Sequence, residues 1–587
     1  MKKEFNILET DFEGEIIHDY YPRPTMERKS FINLNGEWDF CEKDYKMLKN
    51  VISQNIVGTK DKYFLLNSND YNEKIIVPFC MESALSKINR IHKKHSVMFY
   101  KREFDLTSDS DNPVVILHFG AVDCITNVKI NGSFVGRNKG GYLPFEFEIT
   151  NFVNNGKNII EVEVTDDLNT NYPYGKQRYK RGGMWYTPVS GIWQTVWIEQ
   201  VPENYIEGIK IEPSVDTLCL SVYGGENKKT LIFDDNEYEF EGENFELEIP
   251  SPILWSPENP FLYYFTLKSG NDKVKSYFAL RQIRVDSDEK GVSRIFLNNE
   301  PYFFSGLLDQ GYFPDGLFLP KNINGFINDL MEIKKLGFNM IRKHIKVEPE
   351  IYYYLCDKIG ICVFQDMVNN GIYSFLRDTA LPTIISKKRS DKNLHKDKLS
   401  RKIFETSLKG IVRHLYNHPS VVYWTIFNEG WGQFCADKMY DILKSEDDTR
   451  VIDSTSGWFK AKNTDVESEH IYFKPVKVMP NSKPIILSEF GGYSYKINEH
   501  SYNLSKTYGY RFYTDQNEFM NGLEKLYIDE VLPYIKDGLC GCVYTQTSDV
   551  EDETNGVMTY DRKVIKVDSK KMWDINQKLY EENNNNK

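Results

Sequence analysis

The residues best suited to chemistry stand at the ends of apolar runs. His418-Pro419-Ser420 leads into Val421–Phe427, a β-branched and aromatic run of the kind that forms a strand buried on both faces, and the run stops at Asn428-Glu429. A buried strand ends in a carboxamide and a carboxylate where that end opens onto something polar. Gly430 and Gly432 then permit a tight turn, and Trp431 offers a flat apolar surface. A second such end is Pro484-Ile485-Ile486-Leu487-Ser488, which stops at Glu489 before Phe490-Gly491-Gly492. Paired carboxyls are what glycoside cleavage needs: one protonates the leaving oxygen and the other attacks the anomeric carbon or activates water. They stand roughly 5–5.5 Å apart when configuration is retained and roughly 6.5–9.5 Å apart when it is inverted. The plainer account of Glu429 is a carboxylate that complements the N-terminus of a following helix.

These ends need a scaffold that brings distant segments to one mouth. After Asp286 the chain alternates between strand and helix patterns. Candidate strands are Tyr302–Ser305, Phe338–Arg342, Ile361–Gln365, Val421–Phe427, Val451–Asp453, His470–Tyr472, Ile485–Ser488 and Gly541–Tyr544, with helical periodicity over Ile327–Leu336, Glu350–Ile359, Ile403–Tyr416, Cys435–Leu443 and Gln516–Ile535. Eight strands with intervening helices predict a (β/α)₈ TIM barrel, whose sites lie at the C-terminal strand ends. The polar residues there are Asp309-Gln310 after the first strand, Arg342-Lys343-His344 after the second, Asp366 after the third, Tyr472 after the sixth, and Tyr544 and Gln546 on the eighth. The long connection 367–393, basic near its end, reads as a lid over the mouth or as a solvated loop. The tail Glu581–Lys587 reads as disordered.

Upstream, residues 1–201 show short strands separated by turn signals such as Asn131-Gly132 and Asn155-Gly156, which predicts a jelly-roll β-sandwich. Two glycine-rich aromatic stretches, Asn138–Phe145 and Arg178–Trp193, either reach a ligand or neighbouring domain or pack beneath the sandwich. Residues 202–286 read as an immunoglobulin-like β-sandwich acting as a spacer, and 287–587 as the barrel. At 587 residues the chain is expected to hold several domains, and a net charge of -12 argues against a general nucleic-acid binder. No apolar run is long enough to span a membrane, and nine scattered cysteines without a CxxC pair fit free thiols in a reducing cytoplasm.

The chain resembles glycoside hydrolase family 2, which includes β-galactosidases, β-glucuronidases and β-mannosidases. The likeness rests on Arg28–Trp38, Gly191–Val196, Asn339–Arg342 and His418–Glu429, and covers nearly the whole chain. It implies that Glu429 is the acid/base and Glu489 the nucleophile of a retaining double displacement. Asn428 would bind the sugar 2-hydroxyl, Arg342 would orient Glu489, and Tyr472 would sit against it. Trp458, Tyr544 and Gln546, with His344, Asp309 and Asp366, complete the expected sugar-binding set. Two departures bear on the substrate. Family β-glucuronidases grip the uronate with an Asn-Xaa-Lys pair just before a stretch matched here by Gly556–Lys563, yet this chain has Glu553-Thr554-Asn555 there. The turn Arg342–Lys346 is strongly basic where a Ser-His-Tyr-Pro-like turn is usual; it could bind an acidic sugar or consist of solvated lysines. The expected activity is therefore exo-β-glycosidase, β-galactosidase-like first. The alternatives are a β-uronidase (galacturonidase or glucuronidase) with a non-standard carboxylate site, or an idle carbohydrate-binding protein on the same fold. The substrate is a carbohydrate, with no nucleic-acid or membrane partner. No cofactor is required, although a divalent ion is compatible with the family, as is a homo-oligomer.

Overall fold

The computed structural model describes residues 5–16, 18–44, 71–380 and 391–586. Met1–Glu4 and the basic residues Lys387, Lys388 and Arg389 lie outside them. Two antiparallel sheets form the N-terminal sandwich: a six-stranded one including 36–44, 96–106 and 156–165, and a four-stranded one including 114–119 and 196–201. Alternating inward residues meet between them, so Trp38, Phe40, Tyr100, Leu117, Phe119, Val162 and Ile198 form one core.

The next domain stacks a sheet of 206–212, 217–224 and 244–248 on one of 228–233, 236–241, 263–269 and 272–278. The strands 228–233 and 236–241 are beyond those read from sequence. Their outward positions carry Lys228, Glu237, Glu239 and Glu241, and only Leu231 of the pair joins the sealed core. A three-stranded hairpin of 283–287, 293–297 and 300–301 leads into the barrel.

The barrel strands are β1 Phe304–Asp309, β2 Met340–Lys343, β3 Cys362–Asp366, β4 Val421–Asn428, β5 Val451–Ser456, β6 Glu467–Ile471, β7 Ile485–Phe490 and β8 Leu539–Tyr544. All eight predicted strands are present, paired parallel in the order β5-β4-β3-β2-β1-β8-β7-β6. No ladder joins β5 to β6 among the described residues. The seam closes instead through scattered bonds, with Ser456 and Ser468 Oγ 3.3 Å apart, the Asp465 carboxylate accepting from the Ile452 amide at 2.8 Å and the Asp465 amide donating to the Ile452 carbonyl at 2.9 Å.

The helices are α1 Ile323–Lys335, α2 Glu350–Ile359, α3 Lys398–Leu415, α4 Ala436–Glu446, α5 Gln516–Lys525 and α6 Ser569–Asn585. The helical periodicity read over Gln516–Ile535 is cut at Lys525, and the chain continues to Asp537 in wider and tighter turns around Pro533. The C-terminal tail corrects an expectation. Residues 581–585 are the last turns of α6, held because Leu579 is fully buried and Asn583 Nδ2 donates to the Pro301 carbonyl at 3.0 Å.

Both glycine-rich aromatic stretches of the jelly roll reach the barrel. Tyr142 packs on Phe318, and the Trp185 and Trp431 ring centroids lie 4.7 Å apart. The start of the 367–393 connection is pinned between the two domains: Asn370 Nδ2 donates to the carbonyls of Asn171 and Ser400, each at 2.8 Å.

Candidate active site

A pocket opens at the C-terminal ends of the barrel strands. Its floor carries Asn428 and Glu429 from β4, Glu489 from β7, His344 and Tyr472 from the turns after β2 and β6, and Thr545 after β8. Glu429 leaves the β4 ladder with a left-handed backbone (φ +52°), and its amide donates to the Ser456 carbonyl of β5 at 2.8 Å. Such a conformation is costly for a side-chain-bearing residue, and here the tight turn imposes it. A Cβ on Gly432 would lie 2.4 Å from the Asn370 carbonyl oxygen, so the glycine allows that close approach.

One carboxylate oxygen of Glu429, one of Glu489 and a ring nitrogen of His470 all lie within 4.8 Å of one another. Glu489 is 5% exposed and tightly held. Arg342 Nη1 donates to its Oε1 at 3.2 Å, the Tyr472 hydroxyl donates to its Oε2, and His470 Nδ1 stands 3.7 Å from that oxygen. Burial alone would push this carboxyl up. The surrounding His470 and Arg342 and the Tyr472 hydroxyl more than offset that and hold it down to about 2. It is an ionised carboxylate, shielded from water and kept in one rotamer, which suits a nucleophile.

Arg342 organises the floor. Besides Glu489 it donates to Asp366 Oδ1 (3.0 Å), to the Ser488 carbonyl (2.9 Å) and to Asn428 Oδ1 (2.9 Å). With its oxygen so engaged, Asn428 turns its amide NH₂ toward other partners. Asp366 also holds His344 Nδ1 at 2.6 Å. Burial pushes the His344 imidazole down to about 4, so it is neutral at physiological pH.

Other predicted residues stand behind this shell. Asp309 is engaged by Lys343 and the Tyr352 hydroxyl, each at 2.8 Å. The Tyr544 hydroxyl donates to the Tyr493 carbonyl at 3.1 Å within the core, and Trp458 Nε1 donates to the Asp378 carbonyl at 2.7 Å. None of these three, nor Asp366 or Gln546, lines the pocket. Their strand ends are correct in sequence, but their side chains are drawn into bonds with neighbouring elements. Gln546 acts from behind, donating to Glu553 Oε2 at 2.8 Å and to Asn555 Oδ1 at 3.0 Å.

Glu553 and Asn555 do line the pocket. Burial raises the Glu553 carboxyl, opposed by the nearby Lys176 ammonium. Of the basic turn after β2 only His344 lines the pocket, and the two lysines face neither the pocket nor solvent. Lys343 is buried between Asp309 (2.8 Å) and Glu348 (2.5 Å), and Lys346 donates to Glu348 and to the carbonyls of Gly311 and Phe318. Both lysines neutralise buried carboxylates from within.

The far wall comes from the jelly roll and the connection after β3: Lys176, Met184 and Tyr373, with Trp431 wedged between Trp185 and Tyr373. Tyr510 stacks on Tyr472 with centroids 3.9 Å apart. Lys176, Tyr510 and His470 were not foreseen, while Met184 and Tyr373 come from the stretch read as able to reach a ligand and from the connection read as a lid or a solvated loop. His470 had a signal, since it stands two residues before Tyr472 and so faces the same side of an extended segment. The others arrive from loops whose reach no periodicity encodes.

Three family models match the chain: "Glycosyl hydrolases family 2, sugar binding domain" over residues 62–202, "Glycosyl hydrolases family 2" over 205–281, and "Glycosyl hydrolases family 2, TIM barrel domain" over 294–564. A β-galactosidase of Priestia megaterium is 24% identical over 542 residues, covering 82% of this chain and 49% of that protein. A putative β-glucuronidase of Formosa agariphila is 23% identical over 440 residues, covering 70% and 47%. The chain spans about half the length of the curated relatives it matches. Among solved structures, the β-D-glucuronidase of Dictyoglomus thermophilum superposes with a TM-score of 0.73 at 21% identity, covering 95% of this chain and 98% of that one. A family 2 β-galacturonidase of Eisenbergiella tayi bound to galacturonate gives 0.64 at 19%, covering 96% and 99%. At these identities the superpositions speak to the fold.

Proposed function

The chain belongs to glycoside hydrolase family 2, and we propose that it is a retaining exo-β-glycosidase releasing a terminal neutral sugar, a β-galactoside first. The observation that carries this reading is the approach of Glu429 and Glu489, from β4 and β7, to within 4.8 Å at their nearest oxygens. That spacing falls short of the roughly 6.5–9.5 Å that inverting enzymes keep between their carboxyl groups. Glu489 attacks the anomeric carbon while Glu429 protonates the leaving oxygen. In the second half Glu429 takes a proton from water, whose oxygen displaces Glu489. The Asn428 amide donates to the sugar 2-hydroxyl, and Arg342 keeps both Asn428 and Glu489 in register. The wall formed by Met184, Tyr373 and Trp431 suits a pocket for a chain end. The mechanism runs on side chains and needs no cofactor. The nine free thiols favour a reducing, cytoplasmic setting.

A neutral glycone is favoured because Glu553 lines the pocket at the position where family glucuronidases begin their carboxylate-gripping pair, and a buried carboxylate there repels a uronate. The uronidase reading keeps one specific support, the Lys176 ammonium, which lines the same pocket.

A panel of 4-nitrophenyl β-glycosides, including galactoside, glucoside, mannoside, glucuronide and galacturonide, decides between them. A dominant neutral glycoside is expected. A dominant uronide that is lost in Lys176→Met would transfer the carboxylate to that lysine. Glu489→Gln is expected to abolish turnover. Glu429→Ala should spare aryl glycosides far more than alkyl ones, because a good leaving group needs little protonation. Proton NMR should show the β-anomer forming first. An α-anomer would sink the double displacement.

A further inference from the structure

A second cavity, of about 280 Å³, lies where the three domains meet, and it shares no lining residue with the catalytic pocket. The jelly roll lines it with Phe145, Gln194 and Trp197, the middle domain with Ile209, and the barrel with Glu350 from the start of α2 and His414 from the last turn of α3. Most charges around it are already matched. Arg23 meets Glu199 at 3.2 Å, His118 meets Glu146 at 2.9 Å, and Arg413 meets Glu446 at 2.8 Å. Three polar groups that line it are not. Gln194 is 7% exposed, and its side chain lies against Gly120, where a Cβ would come 2.8 Å from its Oε1. Its side-chain amide has no hydrogen-bond partner among the described residues. Glu350 is buried to the same degree. Its Oε1 accepts from the amide and hydroxyl of Thr25, whereas its Oε2 has no partner among the described residues. The same holds for both ring nitrogens of His414.

We propose that this cavity is a non-catalytic binding site for one neutral sugar ring. Buried polar groups are matched in native proteins, so unmatched ones around a cavity point to a ligand that completes them. A carboxylate oxygen accepts from a hydroxyl, an amide both donates and accepts, and an imidazole nitrogen does one or the other. That set suits the adjacent hydroxyls of a sugar, each of which can donate and accept in turn. An anion would be repelled by Glu350, and a cation would meet Arg23 and Arg413. Phe145 and Trp197 add apolar surface for the C–H face of a ring. Ligand cavities run upward from about 300 Å³, so the size matches a single ring and not a chain.

Gln194, Glu350 and His414 reach the cavity from two domains, and Ile209 closes it from the third. A ring held by them exists as a complex only while the domains are docked, so its binding stabilises the assembled chain by linkage. The site is independent of the roles given to Glu429 and Glu489, because none of its walls belongs to the catalytic pocket.

The test is calorimetric titration of D-galactose, D-glucose and inorganic phosphate into the whole protein and into Gln194→Met, His414→Phe and Asn428→Ala. A sugar-binding event is expected that weakens about tenfold in Gln194→Met and in His414→Phe, each of which removes hydrogen-bonding atoms while keeping bulk. That event should persist in Asn428→Ala, where only binding in the catalytic pocket is impaired. The kcat of Gln194→Met on an aryl glycoside should stay at the level of the unaltered enzyme, which also shows that the variant is folded. Saturating sugar should slow thermal inactivation of the unaltered enzyme and of Asn428→Ala, and do so far less in Gln194→Met. Sugar binding that disappears in Asn428→Ala and ignores Gln194→Met and His414→Phe would belong to the catalytic pocket and would overturn the proposal. So would an absence of any sugar-dependent heat in Asn428→Ala, which would make the junction a solvent-filled crevice. Phosphate binding that is lost in Gln194→Met, without sugar binding, would overturn the choice of a neutral ring in favour of an anion.

Discussion

Glu489 shows how a buried carboxyl is kept charged. Burial works against ionisation, and His470, Arg342 and the Tyr472 hydroxyl reverse it. The Tyr472 hydroxyl is one of them, and with its hydrogen on Glu489 it accepts from Thr545 Oγ1 at 3.0 Å. Tyr472→Phe removes this donor while keeping the ring stacked on Tyr510. The Glu489 carboxyl should rise from about 2, and because only its ionised form attacks, the acidic limb of kcat/KM should move to higher pH. A profile lowered uniformly with its limbs unmoved would show that the hydroxyl shapes the pocket without tuning the nucleophile. The two glutamates were legible in the sequence because a carboxylate ends an otherwise apolar strand. The fate of Lys343 and Lys346 was not, since their partners Asp309 and Glu348 meet them only when β1 and the turn after β2 are brought together.

At the scale of elements, the barrel was legible wherever burial is two-sided. Val421–Asn428 and Ile485–Phe490 are buried throughout and read as continuous apolar runs. Strand β6 was the hardest to place, because Glu467-Ser468-Glu469-His470 has a polar face made for the Ser456–Ser488 network and for Lys460. Helix α6 was missed because its apolar positions, Met572, Ile575 and Leu579, are thinned by lysine, asparagine and glutamate. The loop carrying Trp185 was legible as one that either reaches a ligand or neighbouring domain or packs beneath the sandwich. It spans from the jelly roll to the pocket, with Arg178 3.4 Å above the Trp185 ring and Tyr373 and Trp431 on its other contacts. Trp185→Ala should cost about 3 kcal/mol of local packing. Because Met184 and Trp431 lose their support, KM should rise for every glycoside while kcat changes less. A loss of kcat at constant KM would mean that the loop acts on Glu429 through Trp431 and not on substrate retention.

Across the whole molecule, the domains are joined by buried charges as well as by apolar area. Arg28 sits at the junction of the two sandwiches. It donates to Glu199 of the jelly roll at 3.1 Å, to both oxygens of Asp272 in the middle domain at 2.9 Å, and to the Ile206 carbonyl at 2.6 Å. Glu199 is fully buried and also meets Arg23 and His118, which hold its carboxyl well below the ordinary range against the penalty of burial. Arg28, which opens one of the stretches that carry the family likeness in the sequence, is therefore a clasp with three partners in the fold. Arg28→Ala leaves two buried carboxylates short of a partner, which should cost about 3–5 kcal/mol. Glu199 keeps Arg23, so Asp272 bears more of the loss, and the middle domain should loosen first. Hydrogen exchange would then rise along 206–212 and 272–278 before it rises in the barrel. The pocket draws its wall from the jelly roll and its floor from the barrel, whereas the middle sandwich supplies none of its lining. Activity at low temperature should accordingly survive Arg28→Ala, with thermal inactivation coming earlier. If activity were lost at all temperatures with exchange unchanged at 206–212, the clasp would be setting the height of the jelly-roll wall over Glu429 and Glu489 instead of holding the middle domain in place.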